Sequence, residues 1–251
     1  MKSRDQWVES PEAPELKGDA LHLWRVQLDR PAFPYENMVS WLAREESERS
    51  SRFLFPEDQR RFATGRGMLR CILGSYLRQA PETVRIQYGQ YGKPQVQGNG
   101  GKPAVQFNLS HSGGVAVIGV RASGSVGIDV EEVRNGIEID ELAARHFCAN
   151  ERLELNRAAP GDRSLEFFHQ WTRKEAYLKA LGLGLQIETA EIDMTQMAGE
   201  AGKPGGQQSW EWSRREFEPQ EGFIGCAVVQ GVIGEVGYLE WRTLPSPAGK
   251  P

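Results

Sequence analysis

Apolar positions recur at two spacings along this chain, and the switch between them marks its elements. Met68, Leu69, Ile72, Leu73, Tyr76 and Leu77 fall at three- and four-residue intervals, which predicts a helix from Glu57 to Leu77 with one apolar face. A charged, helix-favouring stretch from about Val39 to Phe53 predicts another before it, and helical segments are predicted near 138–157 and 163–181. Runs rich in branched and aromatic residues predict strands at Leu21–Val26, Ile86–Tyr88, Val105–Leu109, Val115–Val120, Val126–Glu131, Trp210–Trp212, Phe223–Val229 and Val236–Trp241. Helices followed by antiparallel-looking strands occur twice. The expected fold class is therefore α+β, with two similar subdomains over 18–122 and 123–243, each a helix packed on a small antiparallel sheet. The polar turn Ala122-Ser-Gly-Ser marks their boundary. Residues 1–17 and 244–251 are expected as disordered tails, from their Pro, Glu and Lys content at one end and Pro, Gly and Ser at the other.

Composition narrows the function. At 251 residues the chain can bury a proper core without disulfides, so Cys71, Cys148 and Cys226, widely spaced and odd in number, are expected as buried reduced thiols. A net charge of −4 argues against a general nucleic-acid binder, because phosphate-backbone affinity needs a basic footprint. No run approaches the ~18 consecutive apolar residues of a spanning helix. The first residues carry charges with no apolar run after them, so neither signal peptide nor membrane anchor is expected, and the expected setting is the cytoplasm.

Four clusters carry candidate chemistry. In Val126-Gly127-Ile128-Asp129-Val130-Glu131 the period is two, so three branched residues face a core while Asp129 and Glu131 share the other face, about 6–7 Å apart, close enough to ligate or bracket one hard cation. An edge strand with a solvated acidic face has the same pattern. In Phe168-His-Gln-Trp171-Thr-Arg-Lys-Glu175-Ala-Tyr-Leu-Lys179, Trp171, Glu175 and Lys179 lie on one side of a helix that Gly182 can terminate. A Glu–Lys pair beside bulky apolar groups is costly without partners, and a metal and phosphate site supplies them.

The third cluster, Phe107-Asn-Leu-Ser110-His111-Ser112-Gly-Gly, ends a strand in groups able to hold an anion. Adjacent Ser110 and His111 point to opposite faces of an extended chain, which disfavours a Ser–His nucleophile there. The fourth is Arg49, Arg52, Arg60, Arg61, Arg66 and Arg70, either a solvated face or a phosphate site.

Together with Gly92-Lys93-Pro94, these segments resemble the 4′-phosphopantetheinyl transferases, closest to the long, pseudo-dimeric type that activates surfactin synthetase, and they span about Asp29 to Thr195 in the family's order. The resemblance implies two subdomains related by a pseudo-twofold axis. It implies transfer of phosphopantetheine from coenzyme A to a serine of an apo acyl or peptidyl carrier protein, with release of 3′,5′-ADP. Asp129, Glu131 and Glu175 would be Mg²⁺ ligands, Lys179 would meet the phosphoryl group, and Glu175 would take the serine proton directly or by way of a bound water. Lys93, Pro94, Ser110 and His111 would lie on the nucleotide side, with Arg49 and Arg61 toward the 3′-phosphate. Glu46 stands where relatives carry a lysine before Arg49, and Phe62 where some carry a hydroxyl. Carrier docking is implied near Gly182–Asp193, with Leu183, Leu185 and Ile187 as apolar contacts, and two fused halves imply a monomer. The alternatives are a homologue that binds coenzyme A or a carrier without catalysis, and an unrelated Mg²⁺-dependent phosphohydrolase.

Overall fold

Four layers build the molecule, seen in a computed structural model that describes residues 5–10, 12–96, 105–183, 188–197 and 212–241. In the N-terminal half, β2 (Leu21–Gln27), β5 (Gln106–Ser112) and β6 (Val115–Arg121) pair antiparallel in the order β2-β6-β5. Strand alternation gives β2 and β6 two apolar faces. Trp24, Val26, Ile118 and Val120 meet Met68, Leu69, Ile72 and Leu73 of α3 (Pro56–Leu77), where the predicted helical stripe is buried. On the opposite face, Leu21, Leu23, Val115 and Val117 pack against the second sheet.

That second sheet has the order β7-β9-β8, formed by β7 (Val126–Glu132), β8 (Trp212–Phe217) and β9 (Phe223–Gln230), all antiparallel. Val126, Ile128, Val130, Phe217, Ala227 and Val229 fill the layer between the sheets. Cys226 and Val228 face Ala176 and Ala180 of α6 (Arg163–Leu181). The arrangement helix, sheet, sheet, helix satisfies the α+β expectation, with small sheets each covered by one long helix.

Three details depart from the sequence-based expectations. Residues 5–10 do not form a disordered tail: β1 (Val8–Glu9) pairs parallel with β10 (Val236–Glu240), and Trp7 packs edge-on against Phe217 and Tyr238. β10 itself pairs parallel with β2, so the second half returns a strand to the first sheet and that sheet is mixed, not antiparallel throughout. The helix expected over 39–53 is two helices, α1 (Tyr35–Ser40) and α2 (Arg44–Ser50). Trp41 leaves the helix to pack on Phe33, Ala43 is extended, and the Glu46 carboxylate accepts the Ala43 N–H at 3.0 Å to start α2. Likewise α4 (Ile139–His146) and α5 (Ala149–Arg157) part at Cys148, whose N–H donates to Glu151 at 2.8 Å. Two further short strands, β3 (Ile86–Tyr88) and β4 (Pro94–Val96), form a separate hairpin.

Candidate active site

The acidic strand and the long helix meet at one glycine. A Cβ on Gly127 would lie 2.0 Å from the Ala176 carbonyl oxygen and 2.3 Å from the Ala180 nitrogen, so only glycine permits α6 to rest directly on β7. Ala176 and Ala180, one turn apart and fully buried, keep the helix side of this contact small. Their neighbours Glu175 and Lys179 therefore emerge beside Asp129.

Lys179 Nζ lies 2.6 Å from Asp129 Oδ1 and donates to Ser110 Oγ at 2.9 Å. Asp129 is 3% exposed, and its Oδ2 is buried with no hydrogen-bond partner among the described residues. Burial raises the pKa of Asp129 even against the Lys179 charge. Burial, joined by the Asp129 charge, raises Glu131 as well, and Glu175 is raised by burial and by the charges of both other acids. Three acidic groups thus repel one another across a partly desolvated seam, with Lys179 beside Asp129 and Arg134 3.9 Å from Glu131 as nearby cations.

As the side chains stand, no group of three or more His, Cys, Asp or Glu among the described residues is closed tightly enough to hold a metal ion. The donor set still fits a hard divalent cation. It is all oxygen, it includes the unpartnered Asp129 Oδ2, and its excess negative charge is what such an ion neutralises.

Two hollows flank this point and share Leu109. One, about 480 Å³, is lined by Tyr91, Lys93, Pro94, Trp171, Glu175 and Lys179. Trp171 stacks on Phe167 and meets His146 edge-on, which holds the indole at the wall. The other, about 540 Å³, is lined by Arg49, Arg61, Phe62, Arg66 and His111. The Arg49 guanidinium lies 5.3 Å from the Phe62 ring centre, a cation–π contact. Burial, with the Lys179 and Arg61 charges, lowers the pKa of His111 and favours a neutral ring.

Several side chains have roles that spacing alone did not expose. Arg61 is gripped by Asp29 at 2.7 and 2.8 Å and by Glu57 at 2.6 Å, so an incoming anion must compete with two carboxylates. Arg66 and Arg70 both pair with Glu46, which is 6% exposed; the acid at that position holds α2 to α3, and these two arginines serve the fold. Lys93 Nζ donates to the carbonyls of Val126 at 3.0 Å and Ala180 at 2.9 Å, tying the β3–β4 hairpin to the C-terminus of α6, and burial lowers its pKa to about 8. Gly182 ends α6 at φ 68°, where a Cβ would also press within 2.9 Å of the Lys93 chain. Ser110 and His111 do face opposite ways, one to Asp129 and the other into the larger hollow. Of the expected docking segment, Leu185 and Ile187 lie outside the described residues, and Leu183 is half-buried. Cys71 and Cys226 are buried and Cys148 half-buried, all as free thiols.

Two family profiles match this chain, one after the other along the sequence. The 4′-phosphopantetheinyl transferase superfamily profile matches residues 125–228, and the 4′-phosphopantetheinyl transferase N-terminal profile matches 30–123. The 4′-phosphopantetheinyl transferase HetI of Nostoc sp. is 38% identical over 227 residues, 90% of this chain and 94% of that protein. Sfp of Bacillus subtilis is 30% identical over 169 residues, 66% of this chain and 73% of its own length. The mouse L-aminoadipate-semialdehyde dehydrogenase-phosphopantetheinyl transferase is 28% identical over 203 residues, 73% of this chain and 66% of that one. With both halves matched in order and one relative aligned almost end to end, the chain belongs to the 4′-phosphopantetheinyl transferase superfamily.

Proposed function

We propose that this chain is a pseudo-dimeric, Sfp-like enzyme that moves the phosphopantetheine arm of coenzyme A onto a serine hydroxyl of an apo acyl or peptidyl carrier protein, with Mg²⁺ as its ion. The observation that carries this is the convergence at the seam of Asp129, Glu131, Glu175 and Lys179, each acid raised by burial, and Glu131 and Glu175 also by the neighbouring acids.

Asp129, Glu131 and Glu175 would hold the ion, whose positive charge favours binding of the coenzyme A diphosphate and leaving of its nucleotide half. Lys179 turns its ammonium to the phosphoryl oxygens as negative charge builds there, a donor already anchored by Ser110 and Asp129. Glu175, with a raised pKa, accepts the proton of the carrier serine. The serine oxygen forms a bond to the β-phosphorus, and the bond between that phosphorus and the oxygen leading to the nucleotide breaks, releasing 3′,5′-ADP. The nucleotide side takes the hollow at His111, with Arg49 and Arg61 toward the 3′-phosphate; Arg61 exchanges Asp29 and Glu57 for phosphate oxygens. Lys93 and Pro94 form the wall that positions the rest of the ligand, Lys93 by its hold on Val126 and Ala180.

The carrier docks near Gly182–Asp193, beside the hollow that holds Glu175. Both sides of the seam come from one chain, which favours a monomer. No helix among the described residues is long and apolar enough to cross a membrane, and the cytoplasm is the proposed setting. The test is mass spectrometry of a panel of apo acyl and peptidyl carriers incubated with the protein, coenzyme A and Mg²⁺. A carrier gaining one phosphopantetheine supports the proposal, and unchanged carriers throughout oppose it.

A further inference from the structure

Among the described residues, strand β7 pairs with β9 along one edge only. Its other edge faces β5, and the amides there are taken by side chains. The Ile128 N–H donates to Asn108 Oδ1 at 2.8 Å, the Val130 N–H to Ser110 Oγ at 3.3 Å and the Glu132 N–H to Ser112 Oγ at 3.2 Å. Asn108, Ser110 and Ser112 share one face of β5 by the period of two, so the three contacts repeat in register. They close the seam between the two sheets.

The same hydroxyls reach the acids. Ser110 donates to Asp129 Oδ1 at 3.0 Å, and Ser112 donates to Glu131 Oε2 at 2.7 Å. Each serine thus accepts one β7 amide and gives its only proton to the carboxylate of the preceding residue. Ser110 also accepts from Lys179, which fills its second lone pair. A carboxylate held this way has one oxygen fixed and the other left for a further partner.

We propose that Ser112 is a positioning residue that sets the orientation of Glu131 for cation binding, as Ser110 does for Asp129. This rests on the function proposed above, with the ion held by the β7 acids. Losing an outer hydrogen bond to a metal-binding carboxylate typically costs about 10–100-fold in metal affinity.

The test compares wild type with Ser112→Ala, Ser112→Cys and Ser112→Thr, using Mn²⁺ binding followed by electron paramagnetic resonance in the presence of coenzyme A, beside thermal melts. Ser112→Ala is expected to weaken Mn²⁺ binding about 10-fold or more. Ser112→Thr should restore most of it, and Ser112→Cys, similar in size with a weak donor, should fall between. Where transfer is measured, the metal concentration for half-maximal rate should shift more than kcat at saturating metal. Mn²⁺ affinity unchanged in both Ala and Cys variants overturns the proposal, and so does a Thr variant as weak as Ala. If Ser112→Ala fails to fold, Ser112→Cys takes its place: Mn²⁺ affinity unchanged in the Cys variant, or a Thr variant no stronger than Cys, overturns the proposal. Absence of carrier modification by wild type would sink the function proposed above, whereas the Mn²⁺ titrations judge Ser112 independently.

Discussion

The ammonium of Lys179 and the carboxylate of Asp129, 50 residues apart in sequence, meet at 2.6 Å across the contact of α6 with β7. Asp129 is almost wholly buried and Lys179 partly open to the hollow, so the pair has one fixed member and one that can reach outward. Replacing Lys179 by Ala is expected to lower kcat with coenzyme A and an apo carrier by about 10²–10³, the usual effect of deleting one transition-state donor. Steady-state kinetics measure it; a change below threefold would show that Lys179 serves only the fold.

Glu175 differs from the β7 acids in sitting at the wall of the hollow, where a serine hydroxyl can approach. Glu175→Gln keeps size and removes the proton acceptor. Turnover should drop by about 10²–10⁴ while coenzyme A binding, read by calorimetry, weakens far less. Turnover equal to wild type would remove Glu175 from catalysis, and wild type that binds coenzyme A yet never transfers would favour a binding protein.

The raised pKa values of Asp129, Glu131 and Glu175 set a pH dependence. A folded chain that holds protons more tightly than the unfolded chain loses stability as pH rises from the ordinary carboxylate range through the raised values. A cation that binds the ionised acids offsets that loss. The rise in Tm on adding Mg²⁺ should therefore be largest near neutral pH and shrink toward about pH 4, where the acids are protonated. Differential scanning fluorimetry across pH checks this; a gain independent of pH would contradict it.

Next to Glu175, Lys174 points the other way and is buried with Glu151, at 2% and 1% side-chain exposure and 2.6 Å apart. Its ammonium also donates to the carbonyls of His146, Thr189 and Ile192, holding the end of α4 and the C-terminal part of the proposed docking region. Lys174→Ala leaves Glu151 charged and buried without its partner, at a cost of about 3–5 kcal/mol. Chemical denaturation should show that loss, and a loss under 1 kcal/mol would mean the carbonyl contacts matter little.

How much of this was legible in the sequence depends on the range of the interaction. The period of two in Val126–Glu131 and the Trp171, Glu175, Lys179 spacing are local, and they located β7, α6 and the acids. The return of β10 to β2 joins residues more than 200 apart, and nothing in either strand's pattern names its partner. The break at Trp41 depends on packing against Phe33 and on the Glu46 cap, which a charged stretch hides. The arginine cluster was visible, but its division into Arg66 and Arg70 on Glu46, and Arg61 on Asp29, needed three dimensions. Ser112 and Asn108 were within a recognised motif; the alternation 108, 110, 112 was the available signal that they act as a row.

The most direct measurement is a crystal structure with coenzyme A and Mg²⁺. Oxygens of Asp129, Glu131 and Glu175 should lie at about 2.0–2.1 Å from one ion that also binds the diphosphate. An ion held without these acids, or a diphosphate lodged away from Lys179, would contradict the account.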